Sequence, residues 1–446
     1  MESLLIVVFV IGYLAIAFEH QIDVNKAGTA LFIGCLCWLI YIVKSGLPPD
    51  VVDEKLLSHI GEIAQIIIFL LGAMTIVEII DAHNGFYSIT KRITTKDTNK
   101  LLWILGACTF FLSAILDNLT TTIVMIALIK KLIPSRIQRL YFASMIVISA
   151  NAGGAWSPMG DVTTTMLWIG GQITPLNIIV KLFIPSLLCA IVPILIISFI
   201  LKIETPDHKE EDEYAYQGEN SNSSHSHSSH HSIEVERSQS RSVLVGGLLA
   251  LILVPVFKTI THLPPFVGVM MNLGVLWIFV EIIHRKDKSE IKRSLSVLNV
   301  IRRVDVPSVL FFLGILMAVS CLQDAGILKK LANALDDIVG NIDMIGIIMG
   351  ILSAIIDNVP LVAAAMAMYD LNTFPTDHNF WELLAYCAGT GGSALIIGSA
   401  AGVAAMGLEH IEFMWYLRKV SWIALIGYFA GIFYFLVVQE HMFGLF

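Results

Sequence analysis

Apolar runs long enough to cross a bilayer follow one another along almost the whole chain, and they are continuous rather than alternating. A helical span needs about 20 apolar residues. Lipid offers no partner for a free peptide group, so such runs must be helices or strands of a closed barrel. Alternation would signal a barrel; continuity selects helices. Charge agrees: Asp, Glu, Lys and Arg make up 14% of the 446 residues, against about 25% in a soluble domain. The six cysteines have no metal-ligand spacing, and Cys35, Cys37, Cys108 and Cys189 lie inside apolar runs as small packing residues. The first run, Leu4 to Phe18, has no basic leader and no small-residue cleavage site, which marks it as a span rather than a signal peptide.

The expected fold is an all-α polytopic membrane protein with about ten transmembrane helices, at 3–18, 27–43, 63–80, 138–172, 175–201, 243–261, 265–284, 304–322, 380–408 and 414–438. Two further apolar segments, 101–133 and 342–370, are broken at Asp117-Asn118 and at Asp357-Asn358-Val359-Pro360, and read as hairpins that enter and leave on one side. The spans 138–172 and 380–408 are also interrupted, at Asn151 to Asp161 and around Gly389 to Gly392. Residues 203–242, rich in Ser, His and Glu, read as a disordered linker between a first unit, 1–202, and a second, 243–446. The stretch 291–304, "IKRSLSVLNVIRRV", reads as an amphipathic interfacial helix.

The two units repeat. "FFLSAILDNLTTT" (110–122) matches "GILSAIIDNVPLV" (350–362), "IIFLLGAM" (67–74) matches "VLFFLGIL" (309–316), and "ANAGGAWSPMGD" (150–161) matches "AGTGGSALIIGS" (388–399), each about 240 residues apart. If each hairpin returns to its own side, a unit contains five crossings, so the second unit is inverted relative to the first. Inverted units with broken helices at the midplane are a common plan among secondary transporters. Charge tests this separately. With the N-terminus outside, 22 of the 28 Lys and Arg fall inside, as the positive-inside rule requires. The expectation is an inner (plasma) membrane protein with both termini periplasmic, the linker cytoplasmic, and hairpins that enter from opposite sides.

Carboxylates at bilayer depth are costly and tend to mark function. Asp117 and Asp357 are repeat mates at the hairpin tips, each followed by an amide, Asn118 or Asn358. Ser113 and Ser353 precede them by four residues, on the same helix face. Asp161 follows Asn151 and a Gly/Pro break and precedes Thr163 and Thr164; its mate is Ser399, and Thr390 and Ser393 give the second unit a neutral version. Oxygen donors of this kind suit sodium, as they suit other hard cations. The candidate ion-binding and proton-coupling set is therefore Asp117, Asn118, Asn151, Asp161, Asp357 and Asn358, with Ser113, Ser353, Thr163, Thr164, Thr390 and Ser393. Capping and repair of broken backbone are the competing reading for each. Proton and sodium competing for one carboxylate, with access that alternates between sides, amount to exchange. No cofactor and no nucleic acid are implied, and no Walker-type Gly-x-x-x-x-Gly-Lys motif points to ATP.

"SAILDNLTTT", "SANAGGAWSPMGDVTTTMLWIGGQIT" and "SAIIDNVPLVAAAM" resemble the NhaD-type sodium/proton antiporters of the ion transporter superfamily, and the resemblance covers both units. It implies two inverted repeats, each with a re-entrant hairpin and an unwound helix, a scaffold of outer helices, a homodimer, and elevator-like movement exchanging Na+ or Li+ for H+. Dicarboxylate transporters of the superfamily carry Ser-Asn-Thr at the comparable tips. Acid in place of Ser disfavours a dicarboxylate. Arsenite, neutral at pH 7, is the other alternative on the same fold.

Overall fold

The computed structural model describes residues 1–17, 19–22, 24–86, 95, 97–204, 237–286 and 295–439. Residues 205–236 of the expected linker, and 291–294 of the expected amphipathic stretch, lie outside these; within the latter, Val297–Ile301 is helical. Among the described residues the chain is helical, and caps explain many of the starts. α1 is Glu2–Ala17 and α2 is Lys26–Lys44, begun by Asn25, whose side chain accepts from the Ala27 amide. α3 is Pro49–Ala82, with proline at its first turn, where no amide hydrogen is needed. α4 (Thr98–Ser113) and α5 (Asn118–Leu132) flank the Asp117 tip. α6 (Arg136–Ala155) and α7 (Val162–Ile169) flank the next break, and α8 runs Pro175–Glu204.

The second half repeats the order. α9 is Arg237–Thr261, α10 Pro265–Ile283 and α11 Val306–Asp324. α12, Ile327–Val339, is an amphipathic helix bounded by Gly326 and Gly340, both left-handed, at φ 72° and 67°. α13 (Ile342–Leu352) and α14 (Asn358–Met368) flank the Asp357 tip; α15 (Asn379–Gly391) and α16 (Ala400–Glu409) flank the last break. α17 (Phe413–Lys419) and α18 (Ser421–Phe433) close the order. Among the described residues six helices are long and apolar enough to cross a membrane, seven if α17 and α18, bent by 52°, count as one span. The other crossings read from the sequence fall on shorter or broken helices.

The helices pack as two groups. α1, α2, α3, α9, α10 and α11 form the first, and five of the six uninterrupted spans belong to it. α2 and α11 meet at glycines: a Cβ on Gly34 would stand 2.5 Å from the Gly314 carbonyl oxygen, so only glycine permits the approach. The second group holds all the breaks: α4 to α8 and α13 to α18. There one geometry occurs twice. A Cβ on Gly153 would lie 2.2 Å from the Phe110 oxygen, and one on Gly391 would lie 2.0 Å from the Gly350 oxygen. Beside these contacts, Ser113 Oγ donates to the Ala150 oxygen at 2.6 Å and Ser353 Oγ to the Ala388 oxygen at 3.1 Å. Each tip is thereby keyed to its broken helix by backbone contact. The groups meet chiefly where α11 crosses α14 and where α3 crosses α7.

Candidate functional site

The site is assembled from three helix starts. Asp161 begins α7 in extended conformation and is 2% exposed. Its Oδ1 accepts the Thr163 amide and the Thr163 hydroxyl, each at 2.9 Å, as a helix cap should. That leaves Oδ2 turned to the tips. Asn118 Nδ2 donates to it at 2.9 Å and Asn358 Nδ2 at 3.4 Å. The two tips thus converge on one carboxylate, although Asn118 and Asn358 are 240 residues apart in sequence.

Behind this contact lies an amide relay. Asn118 Nδ2 also donates to Asn151 Oδ1 at 3.1 Å, and Asn151 Nδ2 donates to Ser393 Oγ and Ser399 Oγ, each at 2.9 Å. The tip acids themselves cap their helices. Asp117 accepts the Thr120 amide at 2.6 Å and the Thr120 hydroxyl at 2.8 Å; Asp357 accepts the Val359 amide at 3.4 Å. Asp117, Asp161 and Asp357 line one cavity of ≈ 80 Å³, with Asn118, Asn358 and Lys26. At about 30 Å³ per water, this is room for a cation and a water or two. A second cavity, ≈ 420 Å³, opens between the two helix groups nearer the α3 start and the α11 end, where His59, Glu62, Gln172 and Gln323 line it.

The remaining candidates fall elsewhere. Ser113 and Ser353 spend their hydroxyls on the carbonyls of α6 and α15, and Thr390 bonds back to the Tyr386 oxygen at 2.6 Å. Thr164 donates to the Asp161 carbonyl at 2.9 Å, inside the cap. These four support the backbone and do not line the cavity. Asn151 and Ser393 form the layer behind Asp161. Outside the candidate set, Lys26, Thr165 and Ser308 line the cavity, and Ser399, read only as the mate of Asp161, supports Asn151. For Ser399 the signal was present, since it aligns with Asp161 in the repeat. For Lys26 there was none, because a lysine at the end of an apolar run reads as an interfacial anchor.

Residues 13–378 match the family described as "CitMHS: Citrate transporter". The chain is also 47% identical over 433 residues to "Sodium/proton antiporter 1" of Arabidopsis thaliana, covering 97% of this chain and 72% of that protein. It belongs to the NhaD-type sodium/proton antiporters. "Sodium/proton antiporter 2" of the same plant is 45% identical over 434 residues, covering 97% of this chain and 98% of the relative. "Na(+)/H(+) antiporter NhaD" of Alkalimonas amylolytica is 30% identical over 455 residues, 96% of this chain and 88% of the relative. This is a family of transporters, not enzymes. The membership read from the tip and broken-helix motifs holds, and the all-helical, multi-span fold of the NhaD-type chain agrees with it.

Proposed function

We propose that the protein exchanges Na+, or Li+, for H+ across its membrane at the cavity formed by Asp117, Asn118, Asp161, Asp357 and Asn358. One observation carries this reading: the amides of both tips converge on the Asp161 carboxylate, with the two tip acids on the same cavity wall. Three carboxylates and one ammonium leave two negative charges without an opposite partner in the lining. Uncompensated charge in a half-dry cavity is costly. Protons or a cation can each relieve it, and each makes the other less welcome. The Asn118 and Asn358 amides present N–H to the carboxylate here; a half-turn of each presents oxygen to a cation instead. The Thr165 and Ser308 hydroxyls, which line the cavity, add oxygen donors of the kind hard cations take. The same acids disfavour citrate, so the family description does not fix the cargo.

The movement we propose is an elevator. The unbroken helices form a scaffold; the group containing both tips is the carrier, and the cavities at the two ends of their interface leave it room to slide. The two units, 1–202 and 243–446, act as inverted repeats with re-entrant tips, joined by the cytoplasmic linker 203–242, with both termini on the opposite side. The scaffold's outer face is where two copies would meet as a homodimer. The test is dequenching of a pH-sensitive dye in everted vesicles lacking other antiporters, on adding NaCl, LiCl or KCl. Dequenching by sodium and lithium, with a half-saturating concentration that falls as pH rises, is expected. Silence toward all three salts from pH 7 to 9, with the protein present in the vesicles, would overturn it.

A further inference from the structure

Two of the cavity acids are satisfied from within the carrier: Asp117 by Thr120, and Asp161 by Thr163 and Asn118. Asp357 is different. Its cap bond to the Val359 amide is long, 3.4 Å, and its Oδ2 stands 3.5 Å from Lys26 Nζ. Lys26 belongs to the other helix group. It opens α2, its backbone amide donates to Glu19 Oε1 at 3.2 Å, and its ammonium sits 4.6 Å from the centre of the Phe311 ring of α11. Since α2 and α11 are joined glycine to glycine, the backbone that carries this ammonium belongs to the scaffold. Both partners are about a quarter exposed, at 29% and 22%, and both line the cavity. Among the described residues no other lysine or arginine lines it, and the pair spans the interface along which the carrier must slide.

We propose that Lys26 is a tethered competitor for the transported cation. Its ammonium holds the positive-charge position beside Asp357 when sodium does not, and so clasps the second tip to the scaffold until sodium displaces it. The idea rests on the cavity taking sodium, as argued above. Its ground is Coulombic: two cations cannot share one carboxylate at this range without repelling one another. Lysine suits the task because its charge is compact, well hydrated and carried on a flexible stem that can withdraw. The Phe311 ring offers the displaced ammonium a second resting place. The clasp gives the exchanger direction. A carrier with a bare Asp357 is held where it stands, and a sodium-loaded one is free to cross, so sodium biases which state moves.

The test has two arms. The first is a double-mutant cycle on the purified protein, with wild type, Lys26→Gln, Asp357→Asn and the double variant unfolded thermally in choline chloride and then in NaCl. The expected result is non-additivity in choline, with the double variant no less stable than the weaker single one, and additivity in saturating sodium. The second arm is vesicle flux. Lys26→Gln should lower the half-saturating sodium concentration about fivefold, the effect of removing a partly exposed ion pair. Additivity in choline would show that the two residues do not pair. Coupling that persists in sodium, or a half-saturation in Lys26→Gln that is unchanged or higher, would show pairing without competition. Failure of the exchange reading itself appears separately, as a wild type that does not respond to sodium.

Discussion

Replacing Asp161 with Asn removes a charge while leaving its surroundings able to adapt. Asn caps a helix about as well as Asp, so the bonds from the Thr163 amide and hydroxyl can be kept. The new amide would face Asn118 Nδ2, now 2.9 Å from Oδ2, donor against donor. The relay behind it can reverse: Asn118 turns its oxygen forward, Asn151 follows, and the Ser393 and Ser399 hydroxyls, which now accept, donate instead. The structural cost should therefore be about 1 kcal/mol. The loss in cation binding should be far larger. A sodium ion about 4 Å from a carboxylate gains about 4 kcal/mol at an effective dielectric constant of about 20, which is about a thousandfold in affinity. Dye dequenching at saturating wild-type sodium should fall below detection, while size-exclusion profile and Tm of the purified variant stay close to wild type. A variant that keeps more than about a tenth of the flux with unchanged half-saturation would refute the assignment, since a loss of 4 kcal/mol leaves no room for it.

Asp117→Asn should likewise keep its cap on Thr120 and lose exchange, by at least about tenfold, in the same vesicle assay; substantial remaining sodium-dependent proton flux would remove Asp117 from the site. Gly391→Ala and Gly153→Ala each put a methyl within 2.2 Å of a carbonyl oxygen, and should each lower stability by about 3 kcal/mol or more, read as Tm or as loss of monodisperse protein; wild-type stability in either would show that the tip and the broken helix can part. Outside the spans, Asp370 accepts the Asn372 and Thr373 amides at 3.0 and 2.8 Å, and the Thr373 bond holds its carboxyl below the usual value of 3.8. Its contribution is present above that value and is lost as pH falls through the lower, folded one. Amide-exchange protection at Thr373 should drop with acid in wild type, and in Asp370→Ala, which keeps only the 3.2 Å bond to the backbone carbonyl, should be lower and show no such acid step.

The spans were legible because their signals are local. The expected 3–18, 175–201 and 304–322 correspond to α1, Glu2–Ala17, α8, Pro175–Glu204, and α11, Val306–Asp324. Gly, Pro and Asp-Asn clusters marked each break. Polar helix was not legible in the same way. α3 begins at Pro49, well before the expected residue 63, because Asp50, Asp53, Glu54 and Lys55 hide a helix from any reading based on apolar length. α12 escaped for the same reason. In the cavity, the three acids announced themselves as charges inside apolar runs. The hydroxyls were ambiguous. Whether Ser113 faces an ion or the Ala150 carbonyl depends on how closely α4 approaches α6, which Gly153 decides 40 residues later. Lys26 and Asp357 are 331 residues apart, and no periodicity links them.

The doubled contact of Gly153 on Phe110 and Gly391 on Gly350 has a mechanical meaning. A tip seated backbone to backbone on its neighbour has no hinge of its own. The first arm of each tip, α4 or α13, therefore cannot swing away from its broken helix without parting a backbone contact. In the elevator movement proposed above, the carrier moves as one casting, carrying Asn118, Asn358 and Asp161 together. An exchanger built this way resists leaking by construction: the ion's coordination travels intact, and no intermediate posture presents a half-dismantled site to both sides at once.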